Sequence, residues 1–418
     1  MKKLLQNTFL QGSLYMMGSN IIIGAMNYVF NILSGRVLGP EGYGDITTLF
    51  AYMAILTIPL AAISTLLIQK IGTKGDRTVA YSVGVEKWTF EQYRKYWFIF
   101  VFLLLLSPFM PFFTNLSPIA AYSIIPLLIL SISATVYDGI LTGLHYFFMM
   151  SCIGIFVVFI KLISAALGYI LPHPLPIIIL LYDISIITKI VLSKLFLNKK
   201  IKPVKNQEYL HIEKTVMQVV VSKQFLYTIG SVLSISLISS IDMIYAKKIF
   251  SSELAGLYAG WSLFAKVIIY AFSPLISMSY VFFSNKKQGA YHHLILMVSL
   301  ITLLLCGIAL NIGYGMYDRL LIEFLLGDKY LAVKPFIEWS AIFGIGFVMI
   351  LFLNNYFLAK ESRATLILPF MTALYVPSLI YYVKNFGLLI YFSTTFIIVI
   401  LFLYLLMFCR EKFLSLLT

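Results

Sequence analysis

The chain has 418 residues, 61% hydrophobic and 11% charged, with 31 Lys plus Arg against 17 Asp plus Glu and a net charge of +14. Soluble domains sit near half apolar and a quarter charged, so this composition excludes an ordinary water-soluble globule. An apolar run of about 20 residues crosses the ~30 Å hydrocarbon core, and with ~15 residues of connection per run the chain has room for roughly twelve.

The first run, residues 9–34, follows Lys2 and Lys3. It is longer than a signal-peptide core and lacks a small-residue cleavage site, so it reads as a retained helix. Spans 2 to 6 fall at about 43–68, 97–113, 120–144, 149–171 and 177–197. The polar stretch 198–214 follows, and spans 7 to 12 fall at about 216–246, 257–283, 294–316, 332–358, 364–383 and 388–409. The expected fold is an all-α polytopic membrane protein of two six-helix lobes, 1–197 and 216–418, joined by a basic linker at 198–215. The longest connections, 69–96 and 198–214, fall on the same side.

Three cysteines, Cys152, Cys306 and Cys409, lie in separate apolar runs without CxxC or metal-ligand spacing, so neither a disulfide framework nor a zinc site is expected. A nucleic-acid surface needs a basic face on a polar domain, and the sequence offers no such domain. No P-loop, GxSxG elbow, HExxH or kinase signature occurs. Nucleotide-driven transport and hydrolysis by familiar constellations therefore lack support, and neither a cofactor nor an enzymatic activity is expected.

Orientation follows from the bases in alternate connections. With the N-terminus inside, the inner connections collect 21 of the 31 bases, Lys189 and Lys194 counted among them, and the outer ones seven. The remaining three, Lys161, Lys223 and Lys266, are assigned to the interiors of spans. The excess predicts a cytoplasmic-membrane protein with both termini inside. It also reads the +14 as a record of insertion and of attraction to anionic inner-leaflet lipids rather than of an acidic protein partner.

Arg36, Glu41 and Gly44 match Lys248, Glu253 and Gly256 without a gap. Each pair lies about 212 positions apart, close to half the chain. Six spans being an even number, the two halves enter from the same side, which implies a pseudo-two-fold axis along the membrane normal.

Span 1 is polar along one face. Ser13, Asn20, Gly24, Asn27 and Asn31 fall within roughly a 60° arc at 100° per residue, and such a stripe either lines a water-filled cavity or bonds to a neighbouring helix. Span 7 carries Lys223, Tyr227, Ser231, Ser234 and Asp242 within roughly 100°. Further intramembrane charges are Asp138, Lys161, Asp183 and Lys266, each a site candidate because charge at that depth needs a partner or a cavity. By depth Lys161 can reach either Asp138 or Asp183. The Gly139/Gly143 and Gly256/Gly260 spacings read as close helix packing, and His292 and His293 as interfacial residues without a metal-ligand pattern.

Two junctions resemble the polysaccharide flippase family, in the superfamily shared with multidrug and toxin extrusion transporters and lipid II flippases. The first is Arg36-Val37-Leu38-Gly39-Pro40-Glu41-Gly42-Tyr43-Gly44. The second is Leu325-Leu326-Gly327-Asp328-Lys329-Tyr330, followed by Asn354, Asn355 and Leu358-Ala359-Lys360 at the end of span 10. The resemblance implies a two-lobed fold that moves an undecaprenyl-pyrophosphate-linked oligosaccharide to the outer leaflet by alternating access, for O-antigen, capsule or a related polymer. A polysaccharide polymerase and a chain-length regulator would be further partners. Lys223 and Lys266 suit the pyrophosphate, with Lys161, Arg36, Asn20, Asn27, Asn31, Tyr227 and Ser234 as further substrate-binding candidates. Asp138, Asp183, Asp242 and Asp45 are the ion-coupling candidates; the last stands where lipid II flippases also carry an acid. Span 1 departs from that branch, offering amides where it has arginines.

Three alternatives stand beside this reading. Drug extruders favour organic cations and carry acids in spans 1 and 7, and here only Asp242 answers to that. Gly72, Asp76 and Arg77 imitate a major-facilitator loop, but Thr78-Val79-Ala80 break the pattern. A polymerase or glycosyltransferase acting on the same lipid-linked sugars would need a large outer loop, and the long connections are assigned inside.

Overall fold

The computed structural model describes residues 8–72, 78–200, 223–283 and 292–417. These residues form α-helices and short 3-10 turns, with no strand among them. Among the described residues, eleven helical runs are long and apolar enough to cross a membrane. The first, Tyr15–Leu56, has 42 residues, enough for two crossings at about 20 residues each. It belongs to helix α1 (Thr8–Leu56), whose two arms meet at Gly39, with φ 65° and ψ −178°. Only glycine takes that conformation cheaply, and Pro40 then starts the second arm, where its missing N–H costs nothing. The Leu38-Gly39-Pro40 junction is therefore a helix elbow.

The residues group into two compact units. Unit 1 comprises residues 1–30 and 52–225, and unit 2 comprises 31–51 and 226–418. The elbow and the start of the second arm thus group with residues that lie far along the sequence.

Unit 1 continues with α2 (Ile58–Gly72), α3 (Thr78–Lys95), α4 (Trp97–Leu106), a 3-10 turn (Ser107–Phe109) and α5 (Met110–Thr114). After them come α6 (Pro118–Gly143), α7 (Phe147–Leu167) and α8 (Pro174–Lys200). α6 packs against α2 and α8, and α7 against α8. The α2–α6 crossing is tight because glycines permit it: a Cβ on Gly139 would stand 3.0 Å from Leu67, and one on Gly143 2.7 Å from Ile71. Leu67, Ile71, Val85, Tyr137, Ile140, Ile153 and Leu197 close the core at this end. Part of the stretch expected as a long connection, 69–96, is helix α3. It is ordered because its inner face is apolar, with Val85 buried and Tyr81 and Trp88 packed on the same core. Glu86 accepts a 2.8 Å hydrogen bond from Tyr137.

Unit 2 contains α9 (Lys223–Ile238) from residue 226 on, α10 (Ile241–Ile249), α11 (Ser252–Phe283), α12 (His292–Met316), α13 (Asp318–Leu325), α14 (Ile337–Ala359), α15 (Ile367–Tyr382) and α16 (Phe386–Leu417), with 3-10 turns at Asp328–Phe336 and Arg363–Leu366. α14 is its axis, buried along most of its length and packed against α11, α12 and α16. The two family-like junctions meet here. Arg36 donates from Nε to the Leu325 carbonyl at 3.1 Å and from Nη2 to those of Glu323 and Phe324, satisfying the carbonyls that end α13. The Tyr330 hydroxyl donates to the Gly35 carbonyl at 3.1 Å. The repeat-related glycines also meet, since a Cβ on Gly44 would lie 3.0 Å from the Gly256 nitrogen and one on Gly256 1.7 Å from the Pro40 carbonyl oxygen. Two helices can approach so closely only where both lack side chains.

Candidate functional site

Helix 1's polar stripe, α6, α7 and α8 enclose a cavity of about 300 Å³ within unit 1. Asn20, Asn27, Asp138, Lys161, Lys189, Ser19 and Ser151 supply its polar lining, and Met16, Ile23, Met150, Val157 and Val158 its apolar side. The first arm of α1 is held onto α7 by a hydrogen bond from Ser19 Oγ to Ser151 Oγ, 2.9 Å, and by the close approach of Ile23 to Gly154. With the hydroxyls occupied by the helix contact, the amides of Asn20 and Asn27 and the three charged groups remain as the polar lining.

Lys189 Nζ lies 2.6 Å from Asp138 Oδ2, and both side chains are about a quarter exposed. By depth Lys161 can reach Asp138 or Asp183, and among the described residues it forms an ion pair with neither: its ammonium sits 4.4 Å above the Tyr182 ring, one residue from Asp183, and lines the same cavity as Lys189. The reason is register, since Lys189 on α8 faces Asp138 on α6 directly. The lining carries two ammonium groups against one carboxylate, a net positive charge facing amides. Such a pocket suits an anion with several acceptor oxygens. Asp183 stands apart, with its buried Oδ1 lacking a hydrogen-bond partner among the described residues.

Lys189 is the residue that sequence reasoning missed. It was counted with the inner connection, yet Ile186-Ile187 precede it and Ile190-Val191-Leu192 follow. It lies about 16 Å from the helix end at Lys200. A lysine flanked by apolar residues on both sides is the signal that could have found it.

The other candidates, Lys223 apart, lie in unit 2. Arg36 is engaged with the end of α13, as described above. Asn31 accepts a 3.3 Å hydrogen bond from Tyr43. Ser234 bonds back to the Gly230 carbonyl at 2.7 Å, and Tyr227 is half-buried on α9. The side chain of Lys223 lies outside the described residues. Asp45 forms a 2.7 Å ion pair with Lys247, whose side chains are 8% and 2% exposed. Lys247, which the sequence reading places among the seven outer bases, is thus buried in an ion pair.

A second polar cluster surrounds Asp242. Span 7 breaks at Ser239–Ser240, and Asp242 in the first turn of α10 accepts from the Met243 amide at 2.8 Å and from the Tyr258 hydroxyl. Tyr375 and Ser393 share a 2.9 Å hydrogen bond beside it, and Thr394 Oγ1, next in sequence, is buried without a partner among the described residues. Lys266 on α11 interacts electrostatically with Asp242. Asp242 and Lys266 therefore belong to one site, while Asp138, Lys161, Asn20 and Asn27 belong to another. No group of three His, Cys, Asp or Glu able to hold a metal occurs among the described residues.

No protein-family model and no curated protein sequence matches the chain. Solved structures do. The lipid II flippase MurJ in an inward closed conformation superposes with a TM-score of 0.68 at 14% identity, over 95% of this chain and 87% of that one. An inward-facing multidrug resistance MATE family transporter of the MOP superfamily gives 0.63 at 13% identity, over 96% and 99%. The Vibrio cholerae MATE transporter VcmN, as an Asp-to-Asn mutant, gives 0.60 at 12%, over 97% of each chain. The chain has the two-lobed all-α fold of these MOP-superfamily transporters. At such identities the likeness is one of fold, and the site residues of this chain are its own.

Proposed function

We propose that the protein is a flippase of the cytoplasmic membrane. It would carry an undecaprenyl-pyrophosphate-linked oligosaccharide from the inner to the outer leaflet by alternating access, both termini being cytoplasmic. The observation that carries this reading is the unit 1 cavity, with Lys161 and Lys189 against Asp138 and an amide wall from Asn20 and Asn27. An ammonium pair matches a diphosphate, and the cavity has room for that head while the sugars and the lipid tail stay outside it. The MurJ likeness supplies a fold known in a flippase. The exported polymer would be an O-antigen, a capsule or a related surface polysaccharide, handed on to a polymerase and a chain-length regulator.

A second reading, extrusion of organic cations, is favoured by Asp242, a buried carboxylate in span 7, and by the MATE likeness. The two readings call for opposite charges at the substrate. The deciding experiment depletes the protein and follows the lipid-linked sugar pool beside efflux of a cationic dye. Accumulation of the lipid-linked intermediate on the cytoplasmic leaflet, rescued by the wild type but not by Lys161→Ala/Lys189→Ala, is the expected result. Unchanged sugar pools with dye retained in the depleted cells would replace flipping by drug extrusion.

A further inference from the structure

Contacts along α6 set the depth of the helices beside it. Running outward, Glu86 meets Tyr137, the Tyr93 hydroxyl lies 2.9 Å from Ser133 Oγ, and Ser107 donates to the Tyr122 carbonyl. Tyr93 therefore stands level with a point about ten residues, or ~15 Å, outward of the inner end of α6 at Gly143. Inward of Tyr96 the exposed side chains on α3 are Val79, Lys87, Phe90, Glu91, Arg94 and Lys95. Above it Trp97, Phe98, Phe102 and Leu105 are all more than half exposed. The apolar surface on this flank thus ends at Tyr96 and Trp97.

On α8 it does not end there. Leu180, Ile184, Ile187, Val191 and Leu195 form an exposed aliphatic strip. The strip runs down to the level where Phe196 meets Tyr146, beyond the end of α6. One flank of unit 1 is therefore apolar to the inner end of α6, while the α3 flank turns charged about 15 Å sooner. Charged side chains exposed at that depth draw water and headgroups inward and thin the leaflet locally.

The step has a cationic centre. Phe90 is 43% exposed, and the Lys194 ammonium from α8 sits 4.8 Å over its ring. Lys87 and Arg94 stand three residues before and four after Phe90 on the same exposed helix face. Glu91 is the acid among them, since Glu86 points inward to Tyr137.

We infer that Lys87, Arg94 and Lys194 around Phe90 form a binding site for the headgroups of anionic phospholipids, drawn up into a thinned recess of the leaflet beside α3. Lys194 covers the ring from α8 while Lys87 and Arg94 flank Phe90 along α3, an arrangement that suits a phosphate-bearing headgroup with an apolar stem. The site lies on the outer face of unit 1 and does not depend on what the protein transports.

The test uses the whole protein in phosphatidylcholine vesicles containing one-tenth phosphatidylglycerol, with either lipid brominated to quench tryptophan fluorescence. Trp97, 61% exposed at the top of the recess, reports on the lipids beside it once the quenching of a Trp97→Phe control, which keeps Trp88, Trp261 and Trp339, is subtracted. Quenching by brominated phosphatidylglycerol should exceed random mixing by about fivefold in the wild type and fall toward random mixing in Lys87→Gln/Arg94→Gln/Lys194→Gln. Phe90→Leu, which keeps every charge, should lose part of the preference, and an unchanged emission spectrum would show that each variant is folded. Equal preference in the triple variant and the wild type would overturn the assignment. Displacement of the lipid by millimolar inorganic phosphate would overturn it too, by making the site one for a free anion.

Discussion

Asp138 and Lys189 lie 2.6 Å apart at the wall of the unit 1 cavity, only a quarter exposed, with Lys161 beside them. Asp138 neutralises one cation, so Asp138→Asn should raise the positive charge of the pocket and retain or tighten binding of a diphosphate. Lys189→Met should weaken binding by about tenfold or more, the usual loss when one charge-assisted hydrogen bond to a phosphate is removed. Binding of a lipid-linked diphosphate to the purified variants checks both signs. The Asp45–Lys247 pair behaves differently, because its two side chains are almost wholly out of water. Removing one partner strands a buried charge, and Lys247→Met should destabilise the fold by about 3–5 kcal/mol. Asp45→Leu combined with it should restore most of that, as read by thermal unfolding in detergent. Were Asp45 a coupling group, Asp45→Asn would change the cation dependence of transport and leave stability unmoved.

The elbow and the helix crossing beside it explain why two short junctions were the most recognisable parts of the sequence. Gly39 takes a positive φ, Arg36 caps α13, Tyr330 bonds to Gly35, and Gly44 and Gly256 touch backbone to backbone. Each position needs one residue type for a geometric reason, so these positions leave a linear signature. The span count was legible for the same kind of reason, since 20-residue apolar runs are local. Side-chain pairing was not: Lys189 rather than Lys161 meets Asp138, which depends on rotation of α8 against α6 that hydropathy does not encode. The ordering of α3 was hidden as well, because its charged outer face dominates its composition while Val85 and Trp88 anchor the inner one. Gly256→Ala would place a Cβ 1.7 Å from the Pro40 carbonyl oxygen, and backbone cannot yield as a side chain can. The expected loss is about 3 kcal/mol, at the upper end of overpacking effects, whereas Gly44→Ala, with its nearest atom at 3.0 Å, should lose less. Melting temperatures of the two variants in one detergent give the order.

For the molecule as a whole, the net charge of +14 says little about transport, since most of it lies in connections. The charges proposed for function form two clusters, Lys161 and Lys189 against Asp138 in unit 1 and Asp242 with Lys266 in unit 2. Vectorial transport without nucleotide hydrolysis needs a gradient, and a buried carboxylate beside a helix break can take up a proton or a small cation and release it as the site opens. Asp242 has that setting, with the Tyr258 hydroxyl and the Met243 amide stabilising its anion and Lys266 within electrostatic reach. If it couples the gradient to movement, dissipating the gradient with an ionophore should slow wild-type flipping in vesicles several-fold. Asp242→Asn keeps the size and one hydrogen-bond acceptor but cannot ionise, so its flipping should be slow from the start and indifferent to the ionophore. Binding of a lipid-linked diphosphate in unit 1 should be unaffected by the substitution, which separates a coupling defect from loss of the substrate site. A wild-type rate that ignores the ionophore, together with full activity of Asp242→Asn, would mean that the protein equilibrates its substrate between leaflets without an energy source.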